Sequence, residues 1–475
     1  MIRSDPSISP ARLRSRIEHL FELSARKILS LERSWNPEDG TPVFTVEGRY
    51  TTRGWTEWTQ GFQVGSAILQ FDATGDREFL DLGRRGTVNL MAPHVSHIGV
   101  HDHGFNNVST YGNLLRLMNE GRIEENGWER EFYTLALKVS GAVQASRWTP
   151  VADGLGFIHS FNGPHSLFVD TMRSLRSLSL AHRLGHVLMG EHDCRISLLE
   201  RMVKHAETTA RFIVFYGEGR DSYDVRGRTA HEAIFNVNDG SFRCISTQQG
   251  YSPFSTWTRG LAWAILGFAE QLEFLETVSD GDLTPMGGRG RVEDLMLRAA
   301  TATADFYLEN TPIDGVPYWD TGAPGLALMG DYLDRPADPF NEHEPVDSSA
   351  AAIAAQGLLR LGTYLESRGR PDDCSRYRGA ALVIAQTLMA PPYLSEKEDH
   401  QGLLLHSIYH RPNGWDYIPP GSRIPNGESC MWGDYHLREL AVMLWREATG
   451  GTYPTFFGPP SGEVADTPSQ WGDRR

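Results

Sequence analysis

The sequence predicts an all-α fold, a closed ring of helical hairpins, on three observations. Apolar stretches with helical spacing come in pairs joined by short turns containing Gly and Asp. Longer loops rich in aromatic residues, Gly and His separate the pairs. Stretches with the period-two alternation of a half-buried strand are few.

The first helix is announced by Ser9-Pro10, a capping residue before a proline at the first helical position, and by Leu13, Ile17, Leu20, Phe21, Ser24 and Ile28 on one face. A polar stretch over 36–54 and an aromatic pair, Trp55 and Trp58, follow. Three helical hairpins are then legible: 67–71 and 79–88 around Thr74-Gly75-Asp76, 175–188 and 196–206 around residues 190–193, and 350–365 and 377–388 around residues 369–373. The intervening loops are expected over 95–112, 154–164, 224–258, 311–338 and 411–434. Within the third, residues 235–245 can form a short hairpin turning at Asn238-Asp239-Gly240. No linker rich in Pro, Gly or Ser divides the chain. Residues 1–475 are therefore expected to form one domain, with a loosely ordered tail over about 458–475.

Composition excludes several function classes. Hydrophobic residues at 40 % and charged residues at 22 % are an ordinary globular balance. A net charge of −15 argues against broad nucleic-acid or anionic-membrane binding, so an anionic ligand would need a local Arg. The 12 Trp residues fall largely outside clean helical stripes, where they either stack on sugar faces or fill the core. Cys194, Cys244, Cys374 and Cys430 show neither zinc spacing nor a disulfide framework and read as free thiols of a reducing compartment. Residues 1–10 hold no signal-peptide run and no segment is long enough to span a bilayer, so a cytoplasmic location is expected.

Three segments carry chemistry. His101-Asp102-His103-Gly104-Phe105 could hold a metal, tie a structural hydrogen-bond knot, or present a carboxylate to a substrate; adjacent side chains rarely point at one ion, which disfavours the metal. Asp170, at the end of Phe168-Val169-Asp170-Thr171-Met172, is either a helix N-cap or an acid whose pKa an apolar setting raises. In Gln249-Gly250-Tyr251-Ser252 through Ser255, Trp257, Arg259-Gly260 and Trp263, Arg259 either offers a planar fork to a carboxylate or is a surface arginine, and Trp263 one turn later is a sugar platform or a core residue.

In order along the chain, Trp58-Thr59-Gln60-Gly61-Phe62, His101-Asp102 with Gly104-Phe105, Asp170-Thr171-Met172, and Gln249 to Ser252 continuing through Arg259-Gly260 and Ala262-Trp263 resemble the unsaturated glucuronyl hydrolases, glycoside hydrolase family 88. Pro317-Tyr318-Trp319-Asp320, Asp347-Ser348-Ser349-Ala350, Leu405-His406-Ser407 and Gly433-Asp434-Tyr435 extend the match. The resemblance implies an (α/α)6 barrel. It places Asp170 as general acid/base and Asp102 as the second active-site carboxylate. Trp58, His101, His231, Gln249, Ser255, Arg259 and Trp263 fall on substrate-binding positions. Departures bear on substrate preference: Gln63-Val64 stand where the family has Trp and Pro, Phe161 is the nearest counterpart of its aromatic before the catalytic Asp, Arg173 replaces an apolar residue, and Pro253-Phe254 replace a more acidic pair.

The resemblance also implies a reaction. An unsaturated uronic acid, the product of a polysaccharide lyase, has a C4=C5 bond conjugated to its ring oxygen. Protonation at C4 and addition of water at C5 give a hemiketal whose opening releases the C1 substituent, so one carboxyl can serve as acid and then base. Asp170 is expected in that role, its pKa raised by apolar surroundings and by Asp102. No cofactor and no metal are expected. The expected partner is an unsaturated oligosaccharide, with the chain a monomer or homodimer. The rivals are an unsaturated rhamnogalacturonyl hydrolase on pectin fragments, a sugar epimerase or isomerase using His101, His103 and His231, and a non-catalytic carbohydrate-binding scaffold.

Overall fold

Ser9 caps the first helix as its place before Pro10 predicts: its Oγ accepts the Arg12 N–H at 3.4 Å, and α1 runs over Pro10–Ser34. The computed structural model describes residues 2–3, 5–54 and 57–458. Trp55 and the tail from residue 459 lie outside the described residues.

The helices sort into two rings by burial. The inner ring begins with α2 (Gln60–Thr74), while α3 (Arg77–Leu90) lies outside it. The second inner member is α4 (His103–Asn106), continued through a π-helical turn (Val108–Gly112) into α5 (Asn113–Asn119), with α6 (Gly127–Ser146) outside. The third is α7 (Thr171–Ser174) and α8 (Arg176–Arg183), with α9 (Leu198–Phe212) outside. Then come α10 (Thr258–Leu275) with α11 (Arg289–Glu309), α12 (Ser348–Ser367) with α13 (Pro371–Leu388), and finally α14 (Met431–Ala448). Each inner member packs on the next, α14 closes on α2, and α1 completes the outer ring against α14 and α2. The result is an (α/α)6 barrel. Every residue of α10 is buried, because it meets inner neighbours on two sides and α11 on a third.

Glycines set how closely the inner helices approach. A Cβ on Gly61 would lie 2.4 Å from the Asn106 backbone, on Gly104 2.3 Å from Ser174 O, on Gly267 2.5 Å from Met172 C, and on Gly357 2.7 Å from Leu266 N. Gly433 sits 3.0 Å from Ser349 in the same sense, and Gly65 meets both Ser109 and Tyr435. Every seam of the inner ring therefore contains a residue with no room for a side chain.

The ring's interior holds charge as well as apolar packing. Arg173 is fully buried, with Nη1 2.5 Å from Glu270 and Nη2 donating to Glu439 at 2.9 Å, so three inner helices share one ion cluster. This arginine is thus paired from a neighbouring inner helix and from one across the ring, as a buried charge requires.

Two expectations about connections are corrected. Residues 95–112 form not an open loop but helical turns from residue 103 onward, because Phe105, Val108 and Tyr111 face the core at helical spacing. The hairpin expected over 175–206 leaves its first helix at Arg183 and crosses a two-residue ladder, Leu188–Met189 with Arg195–Ile196, before α9. The sheet that matters for the site is three-stranded: β1 (Ser166–Phe168), β2 (Glu232–Phe235) and β3 (Phe242–Ser246), all antiparallel, in the order β1-β2-β3. Its β2–β3 turn is the expected one at residues 238–240, with Gly240 at φ +70. Among the described residues, no helix is long and apolar enough to cross a membrane.

Gly104→Ala should lower stability by about 1–3 kcal/mol through overpacking against Ser174. Gly290→Ala, in an open helical position of α11, should be neutral or stabilising. Thermal unfolding of the two variants checks this, and equal Tm values would contradict the close-approach account.

Candidate active site

The inner helices bring their N-terminal ends together. Trp58 precedes α2, Asp102 precedes α4, Asp170 precedes α7, and Arg259 is the second residue of α10. All four line a cavity of about 310 Å³. Its floor is buried and holds His101, Asp102, Phe168, Asp170, Trp257, Arg259 and Trp263; its rim is partly exposed and holds Phe161, Asn162, Gln248, His410, Asn413 and Trp415.

The sheet explains why Asp170 is where it is. β1 pairs antiparallel with β2, Phe168 opposite Glu232, and the Val169 N–H donates to His231 O at 3.0 Å. Asp170 and His231 therefore emerge at the same end of the ladder, and Gln248 and Gln249 follow β3 at that end too. Asp170 occupies the N-cap position of α7, yet its side chain makes no capping bond and its backbone is already helical. The carboxyl is left to face the cavity, with Oδ2 3.5 Å from His231 Nε2 and no closer hydrogen bond to either atom.

The His-Asp-His triplet splits by direction. His103 turns away, with Nδ1 on Ser140 Oγ at 3.0 Å and Nε2 on His97 O at 2.9 Å, which is the structural knot. Asp102 and His101 face the cavity, with His101 Nε2 3.7 Å from Asp102 Oδ1 and His101 Nδ1 unpartnered.

The two carboxyls are tuned apart, in the opposite sense to the expectation from sequence. Burial, then the like charge of Asp170, pushes Asp102 up to about 7, against a weaker opposing pull from Arg147. Arg147 is spent on the carbonyls of His159, Ser160 and Ile98. Burial pushes Asp170 up as well, but His231 and His101 outweigh it and hold the group below its ordinary range. Asp102 therefore holds a proton to higher pH than Asp170, toward which His231 is turned from the neighbouring strand.

Arg259 also differs from expectation. Its Nη1 meets Asp347 at 3.2 Å and the Ile408 carbonyl, and its Nη2 donates to Gln249 Oε1 at 2.9 Å and Tyr409 O at 2.7 Å, with Trp257 and Trp432 stacked on its faces. Its charge is compensated and these donors are occupied, so it builds the wall instead of offering an open fork. Among the described lining residues it is the sole Lys or Arg.

Trp58, half-buried and stacked on Trp432 at 5.0 Å, presents an aromatic face to the cavity, and Trp263 lies beneath it against Phe105. Ser255 is not in the lining: its hydroxyl donates to Ser252 O at 3.1 Å beside Gly322. His231 is not in the lining either, standing behind Asp170 between Phe168 and Trp257. Among the residues missed in the sequence are Tyr409, His410, Asn413 and Trp415. They sit on a loop whose start is held by Asp416, which accepts the Tyr409 and His410 N–H groups at 2.5 and 3.2 Å. A Trp and a His flanking a Pro-Asn-Gly turn were the only signal available.

Fold and site together are those of a glycoside hydrolase on a helical barrel. No protein-family model matches the chain. It is 26 % identical over 386 residues to an unsaturated glucuronyl hydrolase of Formosa agariphila, covering 81 % of this chain and 78 % of that one. It is 26 % identical over 421 residues to an unsaturated glucuronyl hydrolase of Bacillus sp. (strain GL1), covering 85 % and 90 %. The crystal structure of the unsaturated glucuronyl hydrolase from Bacillus sp. GL1 superposes with a TM-score of 0.65 at 24 % identity over 91 % of this chain and 97 % of that one. The resemblance read from the motifs is borne out.

The inverted tuning has a thermodynamic consequence. A carboxyl raised by folding favours the folded state while protonated and loses that contribution as pH climbs from 3.8 to about 7. Asp102→Asn should therefore gain Tm relative to the parent as pH rises through that window. Parallel Tm–pH curves for the two proteins would contradict the raised value.

Proposed function

We propose that the cavity hydrolyses oligosaccharides ending in an unsaturated uronic acid, by hydration of the C4=C5 bond. The observation that carries this is the pair of buried carboxyls, Asp102 and Asp170, on neighbouring inner-helix N-termini at the floor of an aromatic cavity. The pair shares one proton at neutral pH. Entry of the uronate, itself an anion, disfavours the ionised form of Asp170, so the shared proton passes to Asp170 in the complex. Asp170 gives it to C4 and the ring cation adds water at C5. The carboxylate takes a proton back from that water. The hemiketal opens, the C1–O bond breaks, and the uronate leaves as a keto acid beside the freed sugar. Asp102 contacts the sugar hydroxyls. The carboxylate of the substrate meets uncharged donors, among them the Gln249 amide, whose Oε1 is turned to Arg259 and whose NH2 remains available.

Asp170→Asn should lower kcat by about 10²-fold or more, the scale of a lost general acid/base, while substrate still binds. In the parent, kcat/KM should fall as pH rises through about 7, where Asp102 loses its proton. Asp102→Asn leaves Asp170 as the sole carrier of that proton and should move the alkaline limb to lower pH. Loss of ultraviolet absorbance of the double bond reports turnover, and a near-normal rate in Asp170→Asn would remove that residue from the mechanism.

The rim favours an uncharged leaving sugar. Trp58, Tyr409 and Trp415 offer aromatic faces, burial holds His410 at about 4 and so neutral at physiological pH, and no unpaired Lys or Arg stands among the described lining residues. Unsaturated disaccharides with an unsulfated leaving sugar should show kcat/KM about tenfold or more above their sulfated counterparts, about 1.4 kcal/mol of discrimination. Equal or better turnover of the sulfated forms would contradict this.

A further inference from the structure

His231 falls on a substrate-binding position by resemblance, but the structure gives it other work. Its Nδ1 accepts the main-chain N–H of Gln248 at 3.0 Å and lies 3.5 Å from that of Gln249. A backbone N–H only donates, so Nδ1 carries no proton. The ring proton of the neutral imidazole is then on Nε2, the atom turned to Asp170 Oδ2 at 3.5 Å. The ring itself is immobilised, with Phe168 at 4.4 Å and Trp257 at 4.9 Å between centroids, and it is 3 % exposed.

We propose that His231 is a positioning residue: its tautomer, locked by the Gln248–Gln249 main chain, aims Nε2–H at Asp170 and ties the proton-transfer carboxyl to the wall that carries Gln249. This rests on the assignment of Asp170 as general acid/base. The chain of contacts is continuous. Arg259 donates to the Gln249 side chain, the main chain at Gln248 holds the imidazole, and the imidazole faces the carboxyl. The groups that face His231 are Asp170 from the start of α7, His101 from the segment before α4, and His410 from the rim loop, with Arg259 behind Gln249. Of these only Asp170 is an anion, so the Nε2 proton has one partner of opposite charge. A residue in this position moves kcat and the pH profile. A residue that grips substrate moves KM.

The imidazole tautomer is tested first, by nitrogen-15 correlation spectra of the unliganded protein, which need no substrate. The Nε2–H form is expected, and an Nδ1–H form at His231 would overturn the proposal. Turnover of an unsaturated uronyl disaccharide by His231→Leu and His231→Gln is the second test. Leu removes both contacts, whereas the Gln amide can accept from Gln248 and donate to Asp170. For Leu, kcat should drop about 10²-fold with KM nearly unchanged. The alkaline limb of its kcat/KM profile should move to higher pH, since Asp170 loses the group that favours its ionised form and the carboxyl pair keeps its proton longer. Gln should recover most of the rate and restore the limb. A raised KM at unchanged kcat, an unmoved alkaline limb, or Gln no better than Leu would each overturn it. A parent protein inactive on every such disaccharide would instead sink the functional reading and leave the tautomer result standing.

Discussion

The approach of backbone to backbone between inner helices is what the rest of the molecule depends on. Six helices close a ring only if each seam is narrow, and a seam is narrow only where a side chain is absent. Gly61, Gly65, Gly104, Gly267, Gly357 and Gly433 supply that absence around the ring. Polar bonds then register neighbours along the seams: the Gly61 N–H donates to Asn106 Oδ1 at 2.8 Å, the Gly104 N–H to Ser174 Oγ at 2.9 Å, and Arg176 Nε to Gly104 O at 2.8 Å. The interior that remains is too small to leave charge unpaired, and Arg173, Glu270 and Glu439 satisfy one another across it.

That closure has a consequence at one end of the ring. Residues just before or at the first turns of four inner helices reach the same cavity, so a ligand there meets several helix N-termini at once. Among the described lining residues the cavity offers a ligand no open cation. Arg259 shows the alternative use of a cation: compensated by Asp347 and sandwiched between indoles, it stiffens the wall that carries Gln249.

The chemistry depends on an asymmetry between two like groups. Asp102 and Asp170 are both buried and both face the cavity, and burial alone would push both upward. The sheet breaks the tie by delivering His231 to Asp170, while the imidazole beside Asp102, His101 at 3.7 Å, adds no pull that lowers Asp102. Two carboxyls pushed apart in this way can hold and hand over a single proton.

Much of this was legible in the chain. Helical periodicity, the Ser9-Pro10 start, the turn at residues 238–240 and the hairpins around residues 74–76 and 369–373 depend on neighbours in sequence, and local spacing determines them. The motifs containing Asp102, Asp170, Gln249, Arg259, Trp58, His101 and Trp263 pointed to residues that do line one cavity. The sequence could not say that Ser255 turns aside, that His231 stands behind Asp170, that Arg259 is already paired, or which carboxyl keeps the proton. The pairing of Arg259, for one, depends on Asp347, Ile408 and Tyr409, 88 to 150 positions away. Sequence by itself determined which side chains can ionise, stack or donate. Tertiary structure decided which of them are left unpaired, because desolvation and hydrogen-bond partners exist only once distant segments are packed together.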